Sequence, residues 1–350
     1  MPAVSAPATV LVTGATGYIA AHVVKAFIDA GFTVIGTVRR ASGGEYLKRL
    51  FPERFSFVVV GDIQIAGALD ALTPKVDVIA HTASPVSDPP GDVDFDPQLM
   101  IGPALEGTRN VLASASIPGS KVQRIVITSS TASVYEPHEG PYVYSDKDWN
   151  LNALKVVEEL GNKAPSKRKY QASKVLAARE VLAFVANNKP AFDVVDILPT
   201  FVYGPIISDV KSIDALPSSL EIFWHNLTRP DLRPVPEADA ESFVDVRDVA
   251  RMHVDAATRP ELSGGRLIAA HAVPLTYQDF YDAYYSIPES ERPKAPVPRG
   301  HPGAGDAVRA TLPRFARDSQ EKFGWELRGL GECIRDTLQS FVDKNILKSE

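Results

Sequence analysis

Eight residues near the start of the chain, Thr13-Gly14-Ala15-Thr16-Gly17-Tyr18-Ile19-Ala20, constrain the fold more than any other segment. They follow the apolar run Val10-Leu11-Val12 and open a stretch in which Ile19, Val23, Phe27 and Ala30 recur at helical spacing. Strand, glycine turn and helix in that order form a phosphate-binding arrangement, whereas a glycine pattern without that context is a weak signal. Gly14 permits the tight turn, Gly17 lets a pyrophosphate approach the backbone N–H groups at the positive helix end, and small Ala20 allows the helix to lie close to the sheet. Gly31 then suits the left-handed position that ends the helix. The turn therefore predicts a dinucleotide site with contacts from Thr13, Gly14, Thr16, Gly17, Tyr18 and Ile19.

Short β-branched runs alternate with helical stretches along the first two-thirds of the chain, the pattern of a parallel sheet covered on both faces. The strands are expected at Val10-Leu11-Val12, Thr33 to Val38, Phe55 to Val60, Val76 to Ala80, Arg124 to Thr128 and Asp193 to Leu198. These six suit an α/β doubly wound sheet. A length of 350 residues accommodates one such unit with a smaller lobe. Beyond Pro199 the chain changes character. Pro205, Pro217, Pro230, Pro234 and Pro236 interrupt it, and Phe201, Phe223 and Trp224 offer apolar surface for a pocket or for a core. The chain then returns through Phe243-Val244-Asp245-Val246, a helix from Arg247 to Thr258 and a strand near Arg266 to Ala269. The expected division is a nucleotide-binding domain over 1–204, rejoined by 237–271, with a substrate-binding lobe over 205–236 and 272–350. Prolines between Ile287 and Gly305 predict a surface loop.

Charge and cysteine content narrow the partners. A net charge of -6 without long runs of either sign gives no electrostatic case for nucleic acid, so a small molecule is expected. The lone Cys333 has no disulfide partner in the chain, and no Cys/His spacing suggests a metal site. The first ten residues lack a secretory signal's basic and apolar regions, and no apolar run reaches membrane-spanning length. A cytoplasmic enzyme is the expectation.

The second strand ends in Arg39-Arg40, where a site for NAD would place a carboxylate on the adenosine ribose. Arg39 suits the extra phosphate of NADP through paired charge-assisted hydrogen bonds, with Arg40 or Lys48 as reinforcement. Gly61-Asp62-Ile63 ends the third strand, where Asp62 either accepts from the adenine amino group or forms a plain turn. After His81, read as structural, the small residues Thr82, Ala83 and Ser84 leave room for the dinucleotide at the carboxyl end of the fourth strand.

Tyr170 and Lys174 stand four apart in a helical stretch and so share a face. Hydride addition to a carbonyl leaves negative charge on oxygen, and a nearby phenol can protonate it. A free phenol has a pKa of about 10, so an ammonium beside it favours the phenolate left behind. Thr128-Ser129-Ser130-Thr131 supplies hydroxyls at the carboxyl end of the fifth strand.

Together these segments resemble the extended short-chain dehydrogenase/reductase family, and within it the dihydroflavonol 4-reductase-like group that includes fungal aldehyde and ketone reductases. Besides the motifs above, the resemblance rests on Pro103-Ala104 with Gly107-Thr108-Arg109-Asn110-Val111-Leu112, on Leu198-Pro199-Thr200-Phe201-Val202-Tyr203-Gly204-Pro205, on Phe243 through Ala250, and on Gly324-Trp325 before a final helix. It implies a Rossmann fold, a catalytic trio of Ser130, Tyr170 and Lys174 with Thr131 as substitute for the serine, and a nicotinamide flanked by Pro199, Thr200 and Val202. Asp245, Arg247 and Asp248 are expected to form an internal ion-pair network, and Asn110 either supports the relay through water or packs a helix. The function so implied is NADPH-dependent reduction of an aldehyde or ketone. A nucleotide-sugar epimerase or dehydratase, a hydroxysteroid dehydrogenase and a non-catalytic NADP sensor are its rivals.

Overall fold

The computed structural model describes residues 3–84, 94–138, 140–229, 242–309 and 311–347. Pro230, Pro234 and Pro236 lie outside the described residues. In chain order the elements are β1 (Thr9–Thr13), α1 (Tyr18–Asp29), β2 (Thr33–Val38), α2 (Ala41–Leu50), β3 (Phe55–Val59), β4 (Val78–His81), α3 (Gln98–Ala115) and β5 (Arg124–Thr128). There follow β6 (Val143–Tyr144), α4 (Leu151–Leu160), α5 (Ser166–Asn188), β7 (Asp193–Pro199), β8 (Phe201–Tyr203), α6 (Ser218–Thr228), β9 (Phe243–Asp245) and α7 (Val246–Thr258). The chain ends with β10 (Arg266–Ala269), α8 (Tyr277–Ser286), α9 (Asp306–Arg309), β11 (Arg314–Phe315), α10 (Asp318–Phe323) and α11 (Leu330–Asp343).

Seven strands build one parallel sheet in the order β10-β7-β5-β4-β1-β2-β3. All six expected strands belong to it, and Arg266–Ala269 is the seventh. The fourth begins at Val78 rather than Val76 because Asp77 anchors its entry, the Asp77 carboxylate accepting from the Thr9 N–H at 2.9 Å. Strand order reverses between β1 and β4, which opens a crevice at their carboxyl ends where ligands of such sheets bind. On one face Leu11, Ile79, Ile125 and Val194 meet Val111, Leu112 of α3 and Val181 of α5 in a buried core. Gly36 and Gly44 set how closely the layers approach. A Cβ at Gly36 would stand 2.7 Å from the Ala15 Cβ, and one at Gly44 would stand 2.4 Å from the Phe57 ring.

The chain divides into two compact units, one of Met1–Pro137, Asp146–Leu198 and Ala250–Leu267, the other of His138–Ser145, Pro199–Val249 and Ile268–Glu350. The second is more regular than its prolines suggest. Pro217 stands at the N-cap of α6 instead of breaking a segment, a position where its missing N–H does no harm. Phe223 is fully buried and packs with Tyr203 and Phe280, so it belongs to the core of this unit and not to a pocket. The Ile287 to Gly305 stretch is a loop apart from one short turn, pinned where the Tyr284 and Tyr285 hydroxyls donate to the Pro293 and Val297 carbonyls at 2.9 and 2.6 Å. The expected ion-pair network is present: Arg247 donates to Asp245 at 2.8 Å and to Asp336 at 2.5 Å, and Asp248 accepts from Arg328.

At the opposite end of the sheet from the crevice, the fully buried Arg124 of β5 forms a two-pronged pair with Asp193 of β7, at 2.7 and 2.6 Å. The same guanidinium caps the end of α7 by donating to the Ala256 and Arg259 carbonyls, each at 2.8 Å. Removing one partner strands a buried charge, whereas removing both does not. Arg124→Met should therefore lower stability by about 3–5 kcal/mol in denaturant unfolding, and Arg124→Met with Asp193→Leu should recover much of that loss.

Candidate active site

The glycine turn is built by close contact. Gly14 adopts φ 65°, and a Cβ there would stand 3.1 Å from the Ala83 Cβ. Its N–H donates to the Thr37 hydroxyl at 3.0 Å, and Ala15 N–H donates to the Thr37 carbonyl at 2.9 Å, so β2 fixes the turn from one side. Gly17 is the N-cap of α1 and no side chain caps that helix, which leaves its positive end to a ligand. Thr16 is exposed at the turn, Tyr18 is buried against His22, and Ile19 is half-buried.

From the other side the turn is held by β4. The Thr13 hydroxyl accepts from the Thr82 and Ala83 N–H groups, both at 3.1 Å, and lies 2.9 Å from His81 Nδ1. With two N–H donors already on the oxygen, its proton goes to Nδ1, which makes His81 an Nε2–H tautomer. Burial, helped by the Lys174 charge, lowers the His81 pKa to about 4, so the ring stays neutral. His81 is structural, as expected. Thr82 donates its hydroxyl to the Thr13 carbonyl, and Ser84 Oγ accepts from Lys174 Nζ at 2.8 Å.

Past β2, Arg39 and Arg40 are exposed, and neither guanidinium has a partner among the described residues. Arg40 is the N-cap of α2 and makes no side-chain cap. Gly43 brings this helix against the glycine turn, since a Cβ there would stand 2.7 Å from Thr16 Cγ2. The first turn of α2, which no side chain caps, thus lies against Thr16, and the chain enters it through two free cations, a combination suited to a phosphate. Lys48 is engaged elsewhere: its ammonium donates to the Pro52 and Phe55 carbonyls, each at 2.6 Å. Asp62 is exposed and forms a turn, its Oδ1 accepting from the Gln64 N–H at 2.8 Å. Asn110 packs α3 against the segment after β3 by donating to the Ile63 carbonyl at 3.0 Å.

Ser130, Tyr170 and Lys174 come together. Ser130 caps the short turn after β5, accepting from Ala132 N–H at 3.1 Å, and its hydroxyl is hydrogen-bonded to that of Tyr170. Tyr170 and Lys174 lie one turn apart on α5, with Lys174 Nζ 5.5 Å from the centre of the phenol ring. Burial raises the Tyr170 pKa and the Ser130 bond opposes the rise, so the phenol keeps its proton at neutral pH. Burial lowers Lys174 to about 8. Thr131 is buried beneath Ser130. In the other unit, Pro199 and Val202 are buried and the Thr200 hydroxyl donates to the Ser242 carbonyl at 3.1 Å.

A parallel sheet with a glycine turn at its reversal point and a Ser-Tyr-Lys group beside it defines the Rossmann-type short-chain dehydrogenase/reductases. The chain belongs to the NAD dependent epimerase/dehydratase family, whose model matches residues 10–268. It is similar to the ketoreductase azaE of Aspergillus niger, 32% identical over 96% of this chain and 98% of the relative. It is also similar to the NADPH-dependent methylglyoxal reductase GRE2 of Saccharomyces cerevisiae, 30% identical over 95% of this chain and 98% of that one. Among solved structures, Gre2 of Candida albicans in complex with NADPH superposes with a TM-score of 0.82 at 28% identity, covering 97% of this chain and 99% of that chain.

Lys174 offers a test of the site's electrostatics. Its folded pKa of about 8 lies below the ordinary value of 10.5, so between those pH values the unfolded chain binds a proton that the folded one does not. Stability of the ligand-free protein therefore gains from rising pH across that window. Unfolding midpoints measured from pH 7 to 11 should show this gain in the wild type relative to Lys174→Met, in which it is absent.

Proposed function

We infer that the protein is an NADPH-dependent carbonyl reductase in which Tyr170 protonates the oxygen of an aldehyde or ketone. The observation that carries this reading is the half-buried Tyr170–Ser130 hydrogen bond with the Lys174 ammonium one helical turn away. The names of the ketoreductase and methylglyoxal reductase relatives support it. The residues present fit the cofactor: Gly14 keeps open the cradle that a Cβ would crowd, and Arg39 and Arg40 offer free charge for the phosphate that distinguishes NADP from NAD.

NADPH supplies the hydride when bound. Thr13 and Thr82 hold the turn's shape, Thr16, Gly17, Tyr18 and Ile19 present backbone and the Thr16 hydroxyl to the pyrophosphate, and Asp62 accepts from the adenine amino group beside Ile63. Ala83 and Ser84 border the dinucleotide. Ser130 orients the carbonyl oxygen, Tyr170 donates its proton to that oxygen, and Lys174 steadies the resulting phenolate and holds the nicotinamide ribose. The resemblance assigns Pro199, Thr200 and Val202 to the nicotinamide's surroundings. Residues 1–204 and 237–271 are assigned to the nucleotide, and 205–236 with 272–350 to the substrate. A cytoplasmic location fits Cys333, buried and free, and among the described residues no helix is long and apolar enough to cross a membrane.

Free guanidiniums at Arg39 and Arg40 favour an exchangeable NADPH over a retained NAD, which sets the reductase reading above the epimerase one. Tyr170→Phe should keep NADPH affinity and lower kcat for methylglyoxal or an aromatic ketone by roughly 10²–10⁴-fold, and unaltered turnover would remove Tyr170 from the acid role. Arg39→Ala should weaken NADPH binding by roughly ten- to a hundredfold in a fluorescence titration while NADH binding stays as it was. Equal losses for the two nucleotides would reject the phosphate contact.

A further inference from the structure

The cavity that Ala83, Ser84 and Lys174 of the site above line is also lined by Asp196, a residue the chemistry above does not use. Thr13, His81, Ile127 and Asp196 are successive register partners across β1, β4, β5 and β7, so their side chains form one row on the sheet face covered by α3 and α5. Over this row the helices present small residues, Ala104 of α3 and Ala177 and Ala178 of α5. The shortfall in volume leaves a cavity of about 20 Å³, counted as positions open to the centre of a water molecule, enough for at least one water. His81, Thr108, Lys174 and Asp196 all line it.

Asp196 is the anomaly. It is 3% exposed, and its Oδ1 has no hydrogen-bond partner among the described residues. A buried polar atom left this way calls for a water or a functional reason. Thr108 gives its proton to the Ala104 carbonyl at 2.8 Å and so can only accept from cavity water, while Lys174 keeps two of its three donors beyond the one on Ser84. The ionisable groups facing Asp196 are His81 of β4, Lys174 of α5 and Arg266 of β10; α3 presents Thr108 and β5 presents Ile127. Arg266 is committed to the Asp146 carbonyl at 2.6 Å and to the Trp149 ring at 3.8 Å, and its Nε also lacks a partner.

We propose that water in this cavity joins the Asp196 carboxyl to the Lys174 ammonium, making Asp196 a positioning residue that returns to Lys174 the proton the reaction consumes. The proposal rests on the reductase reading. In each turnover the Tyr170 O–H breaks as the O–H of the alcohol forms, and the phenolate regains a proton from the Lys174 ammonium. The neutral amine then takes a proton through water from the Asp196 carboxylic acid, and solvent water restores the carboxyl. One hydride and one proton reach the carbonyl, and every side chain returns to its starting state. The acidities match: burial raises Asp196 to about 7, against the Arg266 charge, and lowers Lys174 to about 8, so the transfer is nearly isoenergetic.

The test compares wild type, Asp196→Asn and Asp196→Glu in NADPH-dependent reduction of methylglyoxal between pH 5.5 and 9. Wild-type kcat is expected to fall as pH rises through about 7, where Asp196 loses its proton. Asp196→Asn should lack that limb, keeping only the fall that Lys174 deprotonation brings at about pH 8, and show kcat about tenfold lower at pH 6 with KM retained, and Asp196→Glu should restore the limb at about pH 7. A folded Asp196→Asn protein with the wild-type pH profile overturns the proposal. A second measurement needs no turnover. Because the folded carboxyl binds a proton between pH 4 and 7 that the unfolded one has released, wild-type stability should decline across that range relative to Asp196→Asn. If water couples the two groups, the Lys174 stability window should also move by about half a pH unit or more in Asp196→Asn, and an unmoved window counts against the link. A wild type inactive on every carbonyl tried would defeat the reductase reading, and the two titrations would still decide whether Asp196 and Lys174 are joined.

Discussion

The Thr13 hydroxyl is the joint from which the site is assembled. It takes the Thr82 and Ala83 N–H groups and gives its proton to His81, which locks the carboxyl ends of β1 and β4 together at the point where the strand order reverses. That lock presses Ala83 against Gly14, so the turn tolerates no side chain there. It also sets the position of Ser84, which receives the Lys174 ammonium. From Lys174 the order passes one helical turn to Tyr170 and across to Ser130 at the end of the neighbouring β5. The glycine turn and the Ser130–Tyr170–Lys174 group are thus tied together through Thr13, Ala83 and Ser84. Neutral His81 is the condition for this arrangement, because an imidazolium at that place would face the Lys174 charge in a buried setting.

Much of this was legible in the sequence because its signals are local. Strand alternation, the glycine turn and the four-residue spacing of Tyr170 and Lys174 depend on neighbours within one or two turns, and each stands where periodicity placed it. What escaped depends on contacts and backbone paths that no local period displays. Lys48 has the charge and position of a phosphate ligand, yet it is drawn to the Pro52 and Phe55 carbonyls by the way the chain leaves α2. The paired strands β6 and β11 are two residues each, too short to show a period. Pro217 reads as a break until the start of α6 is known. Gly43 and Gly44 carry no signal of their own, and their need for a missing Cβ comes from Thr16 and Phe57, which occupy that space. Asp196 sits in the run Val194-Val195-Asp196-Ile197-Leu198, where an apolar strand pattern hides a carboxylate whose row partners lie on other strands.

The sheet keeps two kinds of buried charge apart. At the amino ends of β5 and β7, Arg124 and Asp193 meet in fork geometry, and the same guanidinium donates to the Ala256 and Arg259 carbonyls. Four of the five guanidinium N–H groups have fixed acceptors there, and the pair acts as a structural tie. Toward the carboxyl ends, Asp196 and Lys174 are buried without such pairing, and burial pushes their acidities toward each other. A core selected for stability alone would replace Asp196 by an apolar side chain of its size, since a buried carboxyl with an unpartnered oxygen weakens the fold. Its presence in one cavity with Lys174, beside small residues that leave room for water, is the arrangement in which such an unpartnered group has a use: it can hold a proton at neutral pH and release one when its neighbour is depleted.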